Sequence, residues 1–129
     1  MSTAIACTAL LGLLIFGLGF LVSLTRGSTK TTIGHASDPT DRLHKVVRAH
    51  ANTAEYAPML AVMFLYLGSA HPATWVLWTM VIATLARYSI VAGLILGPTL
   101  DEPHPLRFMG ALGTYLGGLA LCVALALSI

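Results

Sequence analysis

Apolar residues fall in four long runs separated by short polar stretches. Ala4–Leu24 is apolar throughout, with only Thr8 and Ser23 as mild interruptions. A second run extends from about His44 to Gly68 and contains Arg48, His50, Asn52 and Glu55. Thr74–Leu96 is the third, interrupted by Arg87, and Leu106–Ser128 is the fourth. Each run is about 20 residues or more, enough to cross a hydrocarbon layer of roughly 30 Å as a helix. Barrel strands would alternate with period two, whereas continuous apolar runs fit helices, which satisfy their own backbone groups in lipid. The pattern predicts an all-α, integral membrane four-helix bundle, one domain over 1–129, with helices at about 4–24, 44–68, 74–96 and 106–128. The first span has no basic n-region and no small-residue cleavage pattern after Leu24, so it is expected to be retained.

The connections are unequal. Thr25–Asp41 is a polar loop with Gly27, Ser28, Gly34 and an Asp38-Pro39 turn before helix two. Ser69–Ala73 is a tight turn, and Gly97–Pro105 is a proline-punctuated loop containing Asp101 and Glu102. Arg26, Lys30, Arg42 and Lys45 flank the first loop and Arg107 flanks the third, while the termini and the 69–73 turn carry no Lys or Arg. The positive-inside rule therefore places loops one and three in the cytoplasm and both termini outside. Trp75 and Trp78 sit beside the outer turn, where an aromatic belt belongs. Short loops and the lack of targeting extensions point to a bacterial inner membrane.

Composition agrees. Of 129 residues 57% are hydrophobic and 9% charged, with mean hydropathy +0.83. A soluble domain carries about 25% charged residues, so this chain lacks the charge to cover a water-facing surface or to bind nucleic acid. Cys7 and Cys122 allow one disulfide at most, and both are expected to be packing residues. His35, His44, His71 and His104 lie in loops or at helix ends without metal-ligand spacing.

The polar residues inside helix two carry the candidate chemistry. Arg48, Asn52 and Glu55 are spaced i, i+4, i+7 and fall within roughly 60° of one another. His50 points away from this stripe. At 1.5 Å per residue, Glu55 lies about 16 Å beyond His44, near the bilayer midplane, and Arg87 lies at roughly 14 Å depth on the antiparallel neighbour. Glu55 and Arg87 are therefore expected to form an intramembrane ion pair, since an ionisable group at a helix centre costs about 2.5–3.5 kcal/mol and seeks a partner. The stripe reads either as a network fixing helix register or as a polar cavity, open to the cytoplasm, for an anionic or zwitterionic ligand. Pro58 frees a carbonyl and is expected to allow a kink just beyond Glu55.

Arg107 follows Pro103-His-Pro105 at the start of helix four, where free N–H groups and the positive dipole end already attract an anion. A cation there calls for an anionic partner, and a thiol within its reach would be held as the reactive thiolate. Gly110, Gly113, Gly117 and Gly118 permit close approach of helix four to a neighbour, in this subunit or another.

The stretch Arg48-Ala-His-Ala-Asn52-Thr-Ala-Glu55-Tyr-Ala-Pro58 resembles the helix-two signature of the MAPEG family, the membrane-associated proteins in eicosanoid and glutathione metabolism. The likeness covers essentially the whole chain: four spans, a long first loop, a single Arg in helix three and an Arg at the entrance to helix four. It implies a homotrimer with sites between subunits near the cytoplasmic face. It further implies that Arg48, Asn52, Glu55 and Tyr56 hold glutathione, that Arg107 stabilises its thiolate, and that Arg26 contacts a carboxylate. Two departures stand out. One branch of the family has a second Arg where this chain has Ala51, and the helix-three tyrosine of several active members is missing, with Ile90 and Leu94 in that neighbourhood.

Three functions follow as expectations. The first is a glutathione-dependent transferase or peroxidase acting on a lipophilic electrophile delivered from the membrane lipids. The second is a non-catalytic lipid-binding or scaffold protein of the same family. The third is a small multidrug transporter, which needs a carboxylate free to exchange protons and fits poorly with a Glu55 flanked by Arg48 and Arg87.

Overall fold

Four α-helices carry the fold in the computed structural model, which describes residues 1–128: α1 (Ser2–Thr29), α2 (Arg42–Ser69), α3 (Thr74–Leu96) and α4 (Pro105–Ala126). There is no strand among the described residues. α1, α3 and α4 are each long and apolar enough to cross a membrane. α2, as long as α1, carries Arg48, Asn52 and Glu55 within its run. Large apolar side chains such as Leu13, Phe16, Phe20, Leu85 and Leu119 point outward, as lipid-facing residues do.

α1 continues past the expected end at Leu24 because its polar residues satisfy themselves within the helix. The hydroxyls of Thr25, Ser28 and Thr29 donate to the carbonyls of Leu21, Thr25 and Thr25 at 2.8–3.0 Å. The helix stops at Lys30, whose left-handed backbone (φ 53°) lets its N–H reach the Arg26 carbonyl. α2 starts at an N-cap, the Asp41 carboxylate accepting from the His44 N–H at 2.8 Å. It then runs unbroken through Pro58. The His104 ring caps α4, and Pro105 opens its first turn.

The helices pair as two hairpins, α1 with α2 and α3 with α4, joined chiefly through α2–α3 and α1–α3 contacts. α3 and α4 approach closely because glycines line the seam. A Cβ on Gly110 would stand 2.7 Å from the Ala86 carbonyl and the Ile90 nitrogen, and one on Gly113 would meet the Ala86 Cβ at 2.9 Å. Gly110 and Gly113 thus pack within the subunit.

Two apolar clusters are stacked along the bundle. One, beside the 70–73 turn and the termini, joins Ala4, Cys7, Leu11, Leu60, Phe64, Met80 and Leu121. The other joins Leu14, Leu18, Ala49, Ile90, Val91 and Leu94 nearer the long loops. Between them lie buried Thr53, Thr84 and Arg87. Cys7 and Cys122 are both free.

Loops one and three meet at one end, as shared sidedness requires. The Leu100 N–H donates to the Pro39 carbonyl at 3.0 Å. Lys45 Nζ donates to the carbonyls of Gly97 and Pro98 at 2.9 and 2.8 Å, fastening loop three onto the first turn of α2.

Candidate functional site

Below that loop pair, α2, α3 and α4 enclose an open cavity of about 320 Å³, a size suited to a small molecule. α2 contributes Arg48, Asn52 and Tyr56, and α3 contributes Arg87, Ile90 and Leu94. α4 and its N-cap contribute His104, Arg107, Phe108, Ala111 and Tyr115, a single stripe at three- and four-residue spacing. Three guanidinium groups line the cavity and, among the described residues, no carboxylate does.

Arg87 is completely buried. Its Nη2 donates to the Asn52 carbonyl at 2.8 Å and to Asn52 Oδ1 at 2.7 Å. The guanidinium lies under the Tyr56 ring, 5.1 Å from its centroid. Nε and Nη1 have no partner. A buried cation facing only neutral dipoles is costly and attracts an anion.

The expected Glu55–Arg87 ion pair does not form. Glu55 instead faces Arg48 at 3.6 Å, both side chains half exposed. The reason is angular. Taking 100° per residue, Glu55 lies roughly 160° round α2 from the centre of its buried face, Asn52 about 100° and Tyr56 about 60°. Glu55 and Arg87 stand at similar height along the bundle but do not face one another, and Asn52 and Tyr56 take the place beside Arg87. Glu55 is accordingly absent from the cavity wall.

Arg107 does stand in the cavity. Its Nη1 donates to the Leu100 carbonyl at 2.9 Å and the Glu102 carbonyl at 3.1 Å. Loop three thereby supplies the negative dipole ends that a cation at a helix N-terminus lacks. Gly93 makes room for it, since a Cβ there would come within 2.8 Å of Arg107 Cγ and backbone nitrogen. Arg26 is not brought to this cavity within the chain. It lines a separate recess with Lys30 and Thr31, and its Nη1 donates to the Thr32 carbonyl at 2.7 Å. His50 packs against α1 at Gly19, away from the site.

Tyr115 is the polar cavity residue that sequence reasoning missed. Its hydroxyl stands 3.5 Å from that of Tyr56, with ring centroids 5.9 Å apart. The available signal was its place eight residues after Arg107, on the same α4 stripe as Ala111. Ile90 and Leu94 do lie in the wall, so the α3 side is apolar where the resemblance led one to look for a tyrosine.

The model of the MAPEG family matches residues 4–127. No curated protein matches the chain.

Proposed function

Because the chain belongs to the MAPEG family, whose members are generally glutathione-related membrane proteins, we propose that it is a glutathione-dependent transferase or peroxidase. In this reading its second substrate is a lipophilic electrophile arriving from the bilayer. The observation that carries the reading is the cavity with three arginines, no lining carboxylate and a buried Arg87 lacking partners at two nitrogens. Such a site favours a multiply charged anion, and a tripeptide with two carboxylates and an ionisable thiol is one.

Arg48, Asn52 and Tyr56 hold the tripeptide, and Arg107 lowers the free energy of its thiolate at the cavity mouth. The thiolate then attacks an electrophile entering along the apolar Ile90, Leu94 and Phe108 side. Glu55 acts at one remove, positioning Arg48.

The protein works as a homotrimer in this proposal. Arg48 and Glu55 are half exposed deep within a helix that crosses the bilayer, where lipid contact with a charge costs about 2.5–3.5 kcal/mol. Neighbouring copies that cover this face remove the cost. They also offer a route for Arg26 to approach a ligand carboxylate. In the same proposal the cavity mouth opens to the cytoplasm and both termini lie outside, in a bacterial inner membrane, an orientation that the Lys and Arg bias of the loops favours.

The test is glutathione titration of the purified protein, with conjugation of a generic aromatic electrophile. Saturable binding and turnover support the proposal. The absence of both binding and conjugation overturns it. The apolar Ile90–Leu94 wall favours a second reading, in which the cavity holds an anionic lipid without chemistry. That reading predicts co-purified lipid and no thiol consumption.

A further inference from the structure

The Tyr56–Tyr115 pair links the buried Arg87 to the open part of the cavity. Tyr56 covers the Arg87 guanidinium with its ring and donates its hydroxyl proton toward the Tyr115 oxygen at 3.5 Å. That leaves the Tyr115 proton free to be given elsewhere, and Tyr115 is half exposed in the cavity wall. Its place on α4 is eight residues, about 12 Å, deeper than Arg107. Arg107 therefore stands at the mouth, among the loop carbonyls, and Tyr115 stands on the membrane side, where a lipophilic molecule enters. A cation on the face of Tyr56 draws electron density from that ring and strengthens it as a donor. The chain of groups is thus polarised to stabilise negative charge on the Tyr115 oxygen.

Resting on the transferase reading, we propose that Tyr115 is a catalytic acid for electrophiles that gain charge on oxygen when sulfur attacks, an oxirane being the simplest. The thiolate sulfur bonds to one oxirane carbon while the carbon–oxygen bond breaks and its electron pair passes to oxygen. That oxygen takes the Tyr115 hydroxyl proton. The resulting phenolate, held by the Tyr56 hydroxyl, regains a proton from water at the cavity mouth. An aryl chloride needs no such proton, because its leaving group departs as chloride.

The experiment compares two probes, styrene oxide and 1-chloro-2,4-dinitrobenzene, with glutathione and the intact protein in detergent. For Tyr115→Phe the ratio of oxirane to aryl chloride turnover is expected to fall by about a hundredfold. Tyr56→Phe is expected to lower the ratio less, since it removes only the supporting hydrogen bond. Thermal unfolding of both variants monitors the fold, and Tyr115→Phe deletes only a half-exposed hydroxyl. An unchanged ratio in Tyr115→Phe, with wild type turning over both probes, overturns the assignment and leaves the transferase reading intact. Wild-type protein that consumes neither probe overturns both.

Discussion

The two ends of the bundle are built on opposite terms. Near the 70–73 turn, Ala4, Cys7, Leu11, Phe64, Met80 and Leu121 close a wholly apolar core. Near the long loops, the apolar cluster is smaller and stands beside a cavity that holds Arg48, Arg87 and Arg107. In lipid the hydrophobic effect does not drive helices together, so the closed end is held by shape and dispersion contacts. At the open end Lys45, Arg87 and Arg107 instead direct hydrogen bonds to carbonyls. The difference teaches that the site end gives up packing in order to keep Arg87 and Arg107 bonded to neutral groups alone.

That contrast can be broken at either end. Phe64→Ala, at a fully buried position, is expected to cost about 3–5 kcal/mol of stability while leaving glutathione affinity of the folded protein unchanged. Thermal unfolding and calorimetric titration check the two halves of that statement. A loss of affinity without loss of stability would reverse the roles of the two ends. Arg107→Ala is expected to lower kcat by about a hundredfold, roughly 2.7 kcal/mol, with little change in unfolding temperature. A variant that keeps full turnover would remove Arg107 from the chemistry. Arg87→Met is expected to weaken glutathione binding about tenfold while leaving stability unchanged or slightly higher, because it removes a desolvated cation that lacks an anionic partner. A marked loss of stability would make Arg87 a structural residue instead.

The smallest effect lies outside the membrane. Asp38 Oδ1 accepts from the Thr40 N–H at 2.8 Å and the Thr40 hydroxyl at 2.7 Å, and these bonds hold its carboxyl below the usual carboxylate range. A group with a lowered folded pKa contributes stability above its unfolded value, about 3.9, and loses it as pH falls through the folded value. Asp38→Asn should therefore cost a little stability at pH 7, and the difference from wild type should vanish as pH falls below about 4. The shift is expected to be small, since the carboxylate is fully solvated. An equal loss of stability at both pH values would mean that the turn depends on shape and not on the charge.

The spans were legible because a bilayer imposes length and apolarity on any helix that crosses it. The polar residues of α2 and α3 stood out against that background for the same reason. Tyr115 did not, because a tyrosine in an apolar helix has the same appearance whether it meets lipid, a headgroup or a cavity. The C-terminal end of α1 was misjudged because Thr25, Ser28 and Thr29 read as loop residues, yet bond back into the helix.

By itself the sequence determined that this is a membrane protein of four helices, that loops one and three share a side, and that Glu55 and Arg87 lie at similar depth along the bundle. Hydropathy and rise per residue suffice for those properties. Only the tertiary structure decided which of those charges face one another. Asn52, not Glu55, meets Arg87, because the rotation of α2 about its axis is set by the packing of Ala49, Thr53 and Leu60, and depth carries no information about rotation.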